Sequence, residues 1–117
     1  MPDIQTAMRE PLEISPEAVR KSIEDGRSVR LIDIREAHER DEGEIQGAEP
    51  IPMFRLPHAL GRLRQPGVAL ILFCSNGARS LRAAVWLRQN GVAASYSLAG
   101  GLEAWNRLDK RGAPPEG

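Results

Sequence analysis

A second cysteine, a charge surplus, a long apolar run and an internal repeat are all missing from this 117-residue chain. Each absence narrows what it can be. A lone Cys74 cannot form an internal disulfide, which fits a reducing compartment. It also lacks the partners that zinc spacings need, and His38 and His58 stand apart from any ligand cluster, so no metal site is expected. The 16 Lys and Arg residues balance 16 Asp and Glu. Nothing therefore drives the chain toward phosphate backbones or anionic membranes, and neither nucleic acid nor membrane is an expected partner. No apolar stretch approaches the roughly 18 residues of a membrane span. The start, Met1-Pro2-Asp3-Ile4-Gln5, has neither the basic nor the apolar part of a signal peptide. The expected location is cytoplasmic.

What is present is an ordinary globular composition, 41% hydrophobic and 27% charged. The length suits one domain, which at this size buries roughly two-thirds of its unfolded surface. Residues 1–11 lack periodicity and read as a leader, 12–111 as the domain, and 112–117 as a loose tail rich in Pro and Gly. Leu12-Glu13-Ile14 reads as a short strand. Ser15-Pro16-Glu17 supplies an N-cap, a first-turn proline and a first-turn acid, so a helix follows with Val19 and Ile23 on one face and Gly26 at its end. Val29 to Ile34 predicts a second strand, Glu36 to Arg40 a short helix, and Pro50 to Met53 a brief edge strand. Phe54 to Leu63 predicts a helix interrupted near Pro57. The apolar run Val68-Ala69-Leu70-Ile71-Leu72-Phe73 reads as a central strand covered on both faces. Leu81 to Gln89 follows as a helix offering Leu81, Ala84, Val85 and Trp86 to the sheet. Ala94 to Leu98 is the last strand, and Gly100-Gly101 opens a closing helix with Leu102, Trp105 and Leu108. The alternation implies an α/β fold: a parallel sheet of about five strands with helices on both faces. Functional residues in such sheets gather at the carboxyl ends of strands, where Cys74 and Asp33 both fall.

Cys74 ends the central strand and begins the segment Cys74-Ser75-Asn76-Gly77-Ala78-Arg79-Ser80, which opens a helix. A cysteine there competes between two roles, a small buried core residue and a reactive thiolate. Helix N-termini offer unpaired amides and partial positive charge, which stabilise a thiolate. Gly77 lets successive amides converge as an anion nest, Arg79 adds a permanent charge, and Ser80 caps the helix or donates a hydroxyl hydrogen bond. On this reading the sulfur is an exposed nucleophile. Asp33 and Arg35 read as a pair that closes the second strand, or as supports for the loop. Trp86 and Trp105 read as packing residues, and the acids between Glu36 and Glu44 as a solvated face.

The segment from Cys74 to Ser80 resembles the active-site loop of the rhodanese, or thiosulfate sulfurtransferase, superfamily. Three further stretches agree in order: Leu31-Ile32-Asp33-Ile34-Arg35-Glu36, Gly43-Glu44-Ile45-Gln46-Gly47-Ala48 with Ile51-Pro52, and Leu98-Ala99-Gly100-Gly101-Leu102-Glu103-Ala104-Trp105. One departure is Glu44, where the family often has histidine. The resemblance implies a Cys74 persulfide, formed from thiosulfate or a persulfide donor and discharged to a thiol or cyanide, with residues 75–80 binding substrate. No cofactor is implied. The alternative is a carrier module that hands sulfur to a protein acceptor and turns over little free substrate. Phosphatases and arsenate reductases place five residues between cysteine and arginine, whereas four separate Cys74 from Arg79, leaving little room for a tetrahedral phosphate.

Overall fold

The run ahead of Cys74 becomes the middle strand of a five-stranded sheet. A computed structural model describes residues 11–112, with side chains through 108. The expected leader, apart from Pro11, and the expected tail, apart from Gly112, lie outside the described residues. The strands are β1 (Glu13–Ile14), β2 (Val29–Asp33), β3 (Glu49–Pro50), β4 (Ala69–Phe73) and β5 (Ser95–Leu98), in the spatial order β1-β5-β4-β2-β3. Every pairing is parallel, with Asp33 opposite Phe73 at the carboxyl ends of β2 and β4.

Strand side chains alternate between faces, so one apolar run fills two cores. Leu70, Leu72 and Cys74 join Ile32 and Ile34 on one face, beneath α2 (Leu56–Leu63) and α3 (Ala78–Gln89). Ile71 and Phe73 join Leu31 and Leu98 on the other, against Val19 of α1 (Pro16–Glu24) and Leu102 and Trp105 of α4 (Gly101–Gly112). Helices thus cover both faces, and both tryptophans pack: Trp105 is a core member and Trp86 lies half-buried against the other core. Among the described residues, no helix is long and apolar enough to cross a membrane.

Local signals place most boundaries. Ser15 accepts from the Ala18 amide at 3.1 Å, and Pro16 opens α1 where no amide is required. Ile23, expected on the buried face, is 46% exposed, so Val19 and buried Pro16 anchor that helix, with Arg20 laid over the Trp105 ring at 5.0 Å. Glu36 to Arg40 forms no α-helix but a 3₁₀ segment, Ala37–Glu42. The edge strand is shorter and earlier than expected, and Met53–Arg55 turns as a 3₁₀ helix. Pro57 does not interrupt the helix that follows. It lies in the first turn of α2, where its missing N–H costs nothing. α3 begins at Ala78, three residues before the expected start. It turns Ala83, Ala84 and Leu87 to the sheet, leaving Leu81, Val85 and Trp86 half-buried.

Candidate active site

Three strand ends meet around Cys74. The loop leaves β4 at Phe73, and Gly77, in the left-handed region at φ +99°, is the N-cap of α3. That conformation favours glycine, and a Cβ there would also press on the Gly100 amide nitrogen at 3.3 Å. The turn after β5 supports the loop from behind. The Leu102 amide donates to the Cys74 carbonyl at 2.9 Å, and the Glu103 amide to the Ser75 carbonyl at 3.1 Å. Gly101, at φ +63°, makes this approach feasible: a Cβ would lie 2.5 Å from the Cys74 carbonyl oxygen.

The sulfur sits inside a ring of donors. The Gly77 amide donates to Sγ at 3.1 Å, and the nearby amides of Ser80 and Asn76 also favour its thiolate. The Ala78 amide goes elsewhere, to the Asn76 side-chain oxygen at 3.0 Å. Ser80 is not a helix cap, because the cap is Gly77. Its buried hydroxyl instead lies 3.5 Å from Sγ, 3.3 Å from the Gly77 carbonyl and 2.7 Å from the hydroxyl of buried Ser97. Burial pushes the thiol up and is the largest single influence. The Ser80 hydroxyl and the amides of Ser80, Gly77 and Asn76 together outweigh it, so the thiol titrates below its ordinary value.

The expected exposure of the sulfur is not observed. Cys74 is 0% exposed and belongs to the core cluster beneath α2 and α3. The physical reason is the ring itself: amides close enough to bond the sulfur also cover it. Asn76 and Ala78 of the same loop are exposed, and Ser75 and Gly77 half-buried, so the sulfur lies under its own loop rather than deep in the domain.

Arg79 turns toward Glu39. Its Nη1 donates to Oε1 and its Nη2 to Oε2, each at 2.7 Å. The paired guanidinium holds the Glu39 carboxyl down to about 2 and is itself raised, first by Glu39 and to a lesser degree by the Cys74 thiolate. Among the described residues, the side-chain hydrogen bonds of Asp33 and Arg35 run to each other and to the segment after β2, not to the loop. Arg35 is fully buried and grips Asp33 with Nε at 3.0 Å and Nη2 at 2.9 Å. It also donates to the carbonyls of Glu39 at 3.1 Å and Gly43 at 2.6 Å, and its guanidinium lies 5.9 Å from the centre of the Phe73 ring. The pair therefore holds the segment that carries Glu39. The solvated-face reading survives for Glu36, Asp41, Glu42 and Glu44, which are exposed, and fails for Glu39.

Sequence reasoning missed Glu39 and Ser97. A serine inside the last strand signals only that some polar partner is needed. Glu39 has no local signal that distinguishes it from the acids around it.

A family profile described as Rhodanese-like domain matches residues 15–108. The uncharacterized protein YqhL of Bacillus subtilis (strain 168) is 40% identical over 79 residues, which span 68% of this chain and 62% of that protein. This chain thus covers less than two-thirds of that relative. A sulfurtransferase of Allochromatium vinosum is 32% identical over 105 residues, spanning 90% of this chain and 97% of that one. Among solved structures, the human single domain sulfurtransferase TSTD1 has a TM-score of 0.71 and 28% identity, covering 82% of this chain and 96% of that one.

Proposed function

The chain belongs to the rhodanese-like domain family, and from that premise we propose that it transfers a sulfane sulfur through a persulfide on Cys74. The observation that carries this reading is the placement of the Gly77 amide at 3.1 Å and the Ser80 hydroxyl at 3.5 Å from a single sulfur atom, in a loop whose polar groups together lower its thiol. Such donors favour an anionic sulfur, whereas a neutral core thiol has no need of them. The sulfurtransferase relatives described above support the same chemistry.

In the first half-reaction the Cys74 thiolate attacks the outer sulfur of thiosulfate or of a persulfide. A new S–S bond forms as the donor's S–S bond breaks, and the electron pair leaves with sulfite or with the donor's thiolate. In the second, a thiol or cyanide attacks the outer sulfur and the Cys74 thiolate departs with the electron pair. This is covalent catalysis in ping-pong order. With no second cysteine among these 117 residues, the acceptor comes from outside the domain. The ring of amides suits each anionic sulfur in turn, and Ser97 steadies the Ser80 hydroxyl that completes it.

Intact mass after incubation with thiosulfate tests the reading. The expected result is one added sulfur, about 32 Da, on the wild-type protein and none on Cys74→Ser. Thiocyanate should then form when cyanide is added. A wild-type mass left unmodified by thiosulfate and by a persulfide donor alike, or equal modification of Cys74→Ser, refutes the reading. A persulfide that forms but yields negligible thiocyanate assigns the carrier role, in which a protein takes the sulfur.

A further inference from the structure

The loop carries one cation, Arg79, and the fold spends it. Residues 75–80 contain no other basic side chain. Both terminal nitrogens of Arg79 are bonded to the Glu39 carboxylate at 2.7 Å. This is not a loose surface pair. Glu39 is only 16% exposed, its Oε1 accepts the Glu36 amide at 3.1 Å, and its own amide bonds the Glu36 carbonyl at 3.0 Å. Its carbonyl is gripped by Arg35, whose guanidinium is locked to buried Asp33. A scaffold fixed at four points holds the carboxylate against Arg79.

The charge balance follows directly. Arg79 and Glu39 cancel, leaving the Cys74 thiolate and the partial positive end of α3, about half a charge. A dianionic donor such as thiosulfate meets a loop whose one full cation, although it also faces the Cys74 sulfur, is already paired with Glu39. A donor with one charge or none meets a site whose amides suffice. We infer that Glu39 is a specificity-determining residue that biases sulfur loading away from dianionic donors and toward sulfane donors of one negative charge or none, by holding the Arg79 guanidinium in a bidentate pair. This rests on the sulfur-transfer reading above and names the donor class of that same site.

Two donors differing by one charge isolate the effect. Thiosulfate releases sulfite. Methanethiosulfonate, a monoanion, gives its outer sulfur to the Cys74 thiolate in the same way and releases methanesulfinate with the electron pair. Loading of Cys74 is followed in single turnover by intact mass, and kcat/KM by release of the two leaving groups. Glu39→Gln removes the charge and keeps the shape. The expected outcome is that thiosulfate gains about tenfold relative to methanethiosulfonate, since a freed cation acts on two charges rather than one. Glu39→Asp, which keeps the carboxylate, should stay near the wild-type preference. In wild type, raising ionic strength should speed thiosulfate loading, because salt screens a net repulsion. That measurement needs no variant and stands if Glu39→Gln fails to fold. A preference unmoved by Glu39→Gln, or wild-type thiosulfate loading slowed by salt, overturns the assignment while leaving sulfur transfer intact. A wild-type protein that neither donor loads overturns the sulfur-transfer reading and this assignment with it.

Discussion

Adding one methyl group at Gly101 tests whether the turn after β5 shapes the cysteine loop. Gly101→Ala meets two separate penalties. The first is conformational: at φ +63° an L-residue carries about 1–2 kcal/mol of strain. The second is steric, since the new Cβ would lie 2.5 Å from the Cys74 carbonyl oxygen and 2.7 Å from the Ser75 carbonyl carbon and oxygen. All three are backbone atoms, so no rotamer change relieves the clash. Reaching ordinary contact at 3.4 Å requires a shift of about 0.9 Å. A shift of that size away from the loop breaks the bonds from the Leu102 and Glu103 amides, now 2.9 and 3.1 Å long. At about 1 kcal/mol each, their loss brings the total to about 3–4 kcal/mol.

Gly26→Ala supplies the control. Gly26 has φ +78° with nothing within 4 Å of the added Cβ, so only the conformational cost of about 1–2 kcal/mol applies. Urea unfolding of the two variants should therefore differ by about 2 kcal/mol at unchanged slope. The iodoacetamide rate of Cys74 should change in Gly101→Ala and not in Gly26→Ala. Equal destabilisation of the two variants, with an unchanged alkylation rate, would refute the claim that this turn presses on the loop.

Two further predictions concern charge. Ser80→Ala removes the strongest influence lowering the Cys74 thiol while burial, which raises it, remains. The alkylation profile should shift to higher pH, so the rate near neutrality falls; a profile superimposable on wild type contradicts the assigned hydroxyl. The same change strands the buried Ser97 hydroxyl at a cost of about 1–2 kcal/mol, readable in the urea midpoint. For Glu39, the folded carboxyl titrates at about 2 against an ordinary 4.5, so its stabilising contribution is complete above about 4.5 and is lost as pH falls toward 2. Stability measured across that window should fall less steeply in Glu39→Gln; parallel curves would show that the pair contributes nothing to folding.

Particular residues show how far the chain can be read without its fold. The run from Val68 to Phe73 is apolar at every position because both of its faces are covered, so its central place is written in composition alone. Ser15 and Pro16 act within one turn of themselves, and their effect is equally legible. Pro57 shows the limit of such signals. A proline marks either a break or a first turn, and only the preceding 3₁₀ segment, Met53–Arg55, decides between them. The exposure of Ile23 and the facing of α3 depend on how each helix is rotated on the sheet, which periodicity leaves open to within about one position.

The functional loop divides along the same line. Sequence by itself determined that a single thiol ends a buried strand and starts a helix, because strand, glycine turn and helix cap are contacts between near neighbours. Tertiary structure alone decided what surrounds that thiol: Ser97, 17 residues from Ser80, and Glu39, 40 residues from Arg79. It also decided that the sulfur lies covered rather than open, since the loop that bonds it also folds over it. Hydrogen bonds and ion pairs depend on which atoms come within about 3 Å. Across that many residues, the proximity comes from the packing of whole elements and not from any local pattern.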